Sequence, residues 1–166
     1  LEATKRIYGG ATTLVFSGGA RYAQTSQDFR AFSLTPQGLL AGEFVHLLTF
    51  EGVGPTVALD LRRPIGWSPL SLIGGARGSI MFGNTEQTIV TFNGASIGAG
   101  QRREAQVLSM LETQVGLEWA YHLAANGRLF LAGVVEAQIW QNAGSASLDT
   151  GDIGLIGFGF TAGLAR

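Results

Sequence analysis

Between residues 107 and 121 the chain alternates in steps of two. Val107, Leu111, Val115, Leu117, Trp119 and Tyr121 fall on odd positions, with Ser109 and Thr113 among them. The even positions include Gln106, Glu112, Gln114, Gly116 and Glu118. That period predicts a strand with one apolar and one polar face. After a break over 122–127 the alternation resumes, with Leu129, Leu131, Val135 and Ile139 set against Arg128, Glu136 and Gln138. The pair reads as two strands joined by a short turn, both placing carboxylates on one face. In a soluble barrel the apolar face would turn inward, burying Leu111, Val115 and Val135 and exposing Glu112 and Glu136. In a membrane barrel the same face would meet lipid and the charges would line a lumen.

The rest of the chain chooses between these readings. Residues 1–6 read as the end of a strand, followed by a tight turn at 8–10. In the next strand Leu14, Phe16, Gly18, Ala20 and Tyr22 share one face, while Ser17, Gly19 and Arg21 share the other. The run then enters 24–28, too hydrophilic for hydrocarbon, turns at 35–38 and returns, so 24–50 is expected to be a protruding hairpin. Val53, Val57, Leu59 and Leu61 alternate with Gly54, Thr56, Ala58, Asp60 and Arg62. Pro55 is unusual inside a central strand, and Gly52 and Gly54 beside it predict a bulge or bend. A short turn at 63–69 leads to a strand over 70–85, in which Leu72, Ala76, Ile80 and Phe82 oppose Ser71, Arg77 and Ser79. Residues 86–103 read as a longer loop, 142–151 as a loop of medium length, and 152–166 as the last strand. Connections that alternate short and long are what an outer-membrane barrel requires, with short periplasmic turns and longer outer loops. The fold predicted is all-β, an antiparallel transmembrane β-barrel of about eight strands.

Composition supports the lipid-facing reading. Only 14% of the 166 residues are charged and 46% are hydrophobic, with a mean hydropathy of +0.24. Soluble domains carry about 25% charged residues, yet no window approaches the roughly 20 apolar residues of a spanning helix. A net charge of −1 gives no electrostatic reason to expect nucleic acid as a partner. The absence of cysteine excludes disulfides, thiolate metal sites and cysteine nucleophiles. Residues 1–166 read as one domain, N-terminally truncated if the protein is exported.

On this reading Arg21, Asp60, Arg62, Arg77, Glu112, Gln114, Glu118, Glu136 and Gln138 line the lumen, where opposite charges pair. Trp119 and Tyr121, just before a short turn, sit where an interfacial aromatic girdle belongs, and Trp67 in another short turn joins them.

Several stretches occur together in order: 18–23 (GGARYA), 50–55 (FEGVGP), 75–79 (GARGS), 136–140 (EAQIW) and 157–164 (GFGFTAGL). The set resembles the pore-forming outer-membrane barrels related to the Legionella major outer membrane protein, in particular the branch common in planctomycetes. The resemblance covers nearly the whole chain. It implies a Gram-negative-type outer membrane, a porin-like role and, since members begin further upstream, a C-terminal portion of a longer chain. The partners it implies are outer-membrane lipid, the assembly machinery, and small solutes or ions. The final Arg166 stands where such strands often end in an aromatic that the assembly machinery reads.

Other chemistry has weaker support. His46 and His122 read as solvated loop histidines, with no Gly-x-Ser-x-Gly elbow and no metal-ligand spacing around them. Gly52-Val53-Gly54 and 154–159 lack the Lys-Ser/Thr ending of a phosphate loop. No enzyme activity and no cofactor are expected. The expectation is a passive envelope barrel, porin-like or structural. The alternatives are a surface adhesin acting through the 24–50 hairpin and a soluble barrel binding an apolar ligand.

Overall fold

The computed structural model of the chain describes residues 2–122, 127–144 and 151–165. Seven strands form one antiparallel sheet in sequence order: β1 (Glu2–Gly9), β2 (Thr12–Leu34), β3 (Leu40–Pro64), β4 (Leu70–Phe92), β5 (Ile97–His122), β6 (Arg128–Gly144) and β7 (Gly151–Ala165). Every pairing is between sequence neighbours, as a meander with short connections dictates. The four fully described turns each carry a glycine at positive φ: Gly10 (61°), Gly38 (79°), Gly66 (57°) and Gly94 (79°). Glycine takes this conformation without the Cβ clash that other residues meet there.

Two expectations about the connections change. Residues 86–103 are not a loop. They complete β4 and begin β5, paired from Glu86↔Arg103 to Phe92↔Ile97. The β-branched run Thr88-Ile89-Val90-Thr91 favours a strand despite its polar surroundings. Asn93 closes the turn by accepting the Ser96 backbone N–H at 2.9 Å on its side-chain oxygen. The two fully described outer connections, β2–β3 and β4–β5, are therefore tight turns on long hairpins, not long loops. The anticipated 24–50 hairpin is of the same kind, paired without a break from Gln24↔Glu51 to Ser33↔Gly42. The turn around 123–126, the 145–150 part of the 142–151 loop, and the terminal Leu1 and Arg166 lie outside the described residues.

Of the bulge or bend expected at Pro55, the bulge is corrected. The β3–β4 ladder skips Gly54 and Pro55 yet resumes in the same register, from Val53↔Phe82 to Thr56↔Ser79. No residue is inserted. Proline has no N–H to give the ladder, and at Gly54 a Cβ would stand 1.8 Å from the Ile80 carbonyl oxygen. The strand stays in register because glycine lets the two backbones close over the missing bond.

The register builds two distinct faces. One lateral row runs Leu14–Leu61–Gly74–Val115–Val135–Phe158, and another Phe16–Leu59–Ala76–Thr113–Ala137–Ile156. These rows form the convex face, where Leu111 (51%), Val115 (55%) and Phe158 (76%) stay exposed. The opposite face is concave, and side chains bridge its curvature from strands that are not neighbours. Arg62 on β3 reaches Glu118 on β5, Arg77 on β4 reaches Glu2 on β1, and Gln27 on β2 reaches the Ala143 carbonyl on β6. The sheet is curled but not closed, and it has seven described strands where about eight were expected. The reason is directional: in a seven-strand meander β1 and β7 run the same way, so an antiparallel ladder cannot join them.

Candidate functional site

The nine polar residues singled out in the sequence all lie on the concave face. Cross-strand register sets them in two adjacent rows. Arg77, Glu112 and Gln138 pair laterally across β4, β5 and β6. One step further along, Asp60 faces Gly75, which faces Gln114, which faces Glu136. Gly75 leaves room here: a Cβ on it would come within 2.7 Å of the Asp60 carboxylate. Together the rows enclose a polar pocket of about 230 Å³.

Ion pairs organise the charges. An Arg21 Nη2–H donates to Glu112 Oε1 at 2.9 Å, while its Nη1 is buried with no partner among the described residues. Arg62 donates from Nε and Nη2, at 3.0 and 2.6 Å, to a single Glu118 oxygen. Arg128 donates to that same oxygen, so one half-buried carboxylate joins three strands. Arg77 lies 3.5 Å from Glu2. Charge-assisted bonds of this kind are the stronger class of hydrogen bond. The faces are arranged the opposite way from the soluble barrel weighed earlier: the apolar side chains of the convex face are exposed, and on the concave face Glu112 is 20% exposed and Glu136 is half-buried.

Trp119 and Tyr121 occupy the convex face at one end, their rings stacked with centroids 6.2 Å apart. Trp67 stands fully exposed in the β3–β4 turn at that same end. At the other end the row Tyr22–Val53–Phe82–Val107 closes the apolar zone. There the Tyr22 hydroxyl donates to Glu51 at 3.0 Å, in the first polar row beyond. Further out Arg30 pairs with Asp28 at 3.2 Å. That hydrogen bond and the carboxylate's charge raise the guanidinium pKa, with no effect on its charge at neutral pH.

Three features escaped the sequence reading. Arg128 completes the Glu118 network, and its place on the polar face of β6 was legible. A cluster of Ala23, Phe50, Met81, Leu108, Met110 and Ala143, flanked by Trp140 and Ile153, lies on the concave face. Six consecutive strands contribute to this apolar collar. Its signal was Leu108 and Met110, two apolar residues on the even, polar face of β5. Finally, His46 is not solvated. It is 1% exposed beside Phe44, and neither ring nitrogen has a partner among the described residues. His122 is exposed at the end of β5.

An antiparallel wall of long strands, apolar on its convex side and ion-paired on its concave side, defines the class of outer-membrane β-proteins. The profile of the Legionella pneumophila major outer membrane protein precursor family matches residues 5–158, and the chain belongs to that family. It is a bacterial outer-membrane protein. No individually curated protein and no solved structure matches it.

Proposed function

We propose that the protein is a passive, non-enzymatic outer-membrane β-barrel whose concave face lines a porin-like path for small solutes. The observation that carries this reading is the division of faces. An unpaired Arg or Lys at the bilayer midplane costs about 2–4 kcal/mol. On β2, β3 and β4 no charged residue lies on the convex face between the Tyr22–Val53–Phe82 row and the Leu14–Leu61–Gly74 row. Lys5 on the edge strand β1, paired with Phe16, is the charged residue of that zone among the described residues. At about 3.3 Å per residue, the apolar zone runs roughly 26 Å along β3 and roughly 40 Å along β5. Strands tilted by about 40° bring those lengths to roughly 20 and 30 Å, around the ~25 Å band of such barrels. A lipid-covered wall has no open edge, because unpaired backbone groups are costly in hydrocarbon. Antiparallel closure takes an odd number of strands between β7 and β1, since those two run the same way. Outer-membrane lipid and the assembly machinery are then the obligatory partners, and small solutes or ions the cargo.

A structural envelope barrel is the second reading. Three ion-paired clusters on the concave face favour it, because paired charges fill space as well as conduct. Single-channel conductance of the refolded full-length protein in a planar bilayer separates the two. Ion-selective steps that change with Glu112→Gln support the porin-like path. A heat-modifiable, folded protein without conductance would leave the structural role.

A further inference from the structure

The apolar collar lies on the same face as the charged rows but nearer the outer hairpins, and the end of β6 bends into it. The β6–β7 register shifts between Trp140 and Gly144, and Asn142 takes a φ of 62°. Asparagine is among the few residues that adopt this left-handed conformation readily. Past this point Ala143 is 2% exposed within the collar. Two glutamines from other strands hold the bent segment by its backbone. The Gln27 amide on β2 donates to the Ala143 carbonyl, and the Gln106 amide on β5 donates to the Asn142 carbonyl. From the other side, the Asn142 N–H donates to Asp152 on β7 at 3.0 Å. Bulges commonly re-aim a strand at a functional position, and here three strands pin the re-aimed residues.

We propose that the inward bend at 142–143 is the constriction of the pore. It is seated on the collar of Phe50, Met81, Leu108 and Met110 and latched by Gln27 and Gln106. This deepens the porin-like reading and rests on it. The collar side chains are buried beneath the bend (Phe50 1%, Met81 0% and Leu108 0% exposed), so they set how far 142–143 stands out from the wall, while the exposed Asn142 is what a solute meets. Entry is therefore screened by size. The charged chamber below acts only on what has passed.

The test uses the full-length protein in planar bilayers for ion conductance and in liposomes for swelling with neutral sugars. Gln27→Ala/Gln106→Ala is compared with Leu108→Ser and with the control Gln24→Ala on the convex side. Heat-modifiable mobility reports folding in each case. Releasing the latch or making the collar polar is expected to raise conductance several-fold and speed sugar entry, with cation-to-anion preference unchanged. Channels that open only in these variants support the same conclusion. As a second route that keeps the latch, which holds Asn142 by its backbone carbonyl, Asn142→Cys at this exposed position followed by a bulky thiol reagent is expected to lower the current. Wild-type channels left unaltered by all of these changes would overturn the constriction while leaving the porin-like path standing. No current in any folded variant would overturn both.

Discussion

The guanidinium of Arg21 on β2 lies 2.9 Å from the carboxylate of Glu112 on β5, although β3 and β4 separate their strands in the sheet. A flat sheet would hold those strands about 14 Å apart, at the usual 4.7–4.9 Å per strand. The contact exists because the sheet curls toward its polar side and both side chains point inward. Exposed ion pairs contribute about 0.2–1 kcal/mol, whereas breaking a fully buried pair costs about 3–5 kcal/mol. This half-buried pair falls between, at about 2 kcal/mol. Glu112→Gln and Arg21→Met are expected to lower the urea midpoint in detergent micelles by similar amounts. The double variant is expected to lose little more than either alone. Strict additivity would show that the two groups do not interact.

Val115 and Gln114 are sequence neighbours on opposite faces, the first in the convex row with Gly74 and Val135, the second beside Gly75 and Glu136. Val115→Arg places a charge against lipid near the middle of the apolar zone, at a cost of about 2–4 kcal/mol. Gln114→Arg adds a cation beside the carboxylates of Asp60 and Glu136. The folded fraction after dilution into liposomes is expected to fall sharply for Val115→Arg and little for Gln114→Arg. Equal yields would reverse the assignment of faces.

At Gly54 a Cβ would meet the Ile80 carbonyl at 1.8 Å, whereas at Gly78 on the next strand it would meet nothing within 4 Å. Gly54→Ala therefore pushes β3 away from β4 where Pro55 has already removed a ladder bond. Overpacking of this kind costs about 1–3 kcal/mol. Gly78→Ala is expected to be close to neutral. Thermal loss of the heat-modifiable form, compared between the two variants, measures the difference.

The hairpin turns at opposite ends of the strands fall on opposite sides of the membrane if the wall spans it. Leu39 in the β2–β3 turn and Trp67 in the β3–β4 turn are both well exposed. After Leu39→Cys, a membrane-impermeant maleimide is expected to label intact cells. After Trp67→Cys it should label only once the outer membrane is permeabilised. The reverse order would invert the orientation.

Much of this protein was decided locally. The period-two pattern from Leu14 to Leu164 specified strands and which residues share a face, because side chains on a strand alternate by geometry alone. Arg21, Asp60, Glu112 and Glu136 were legible as one set for that reason. The hairpin at 24–50 was legible too, since Gln24 and Asp28 end the apolar alternation. The 88–91 run was misread because its threonines and its glycine-rich return strand looked like a loop, while pairing partners decide strand from coil there. What only the tertiary structure decided depends on curvature. Curvature brings Arg21 to Glu112, gathers Arg62 and Arg128 on Glu118, and buries His46. It also turns Leu108 and Met110, two exceptions on a polar face, into part of a collar drawn from six strands. Alternation tells each residue which side it occupies, and the curl of the sheet tells it whom it meets.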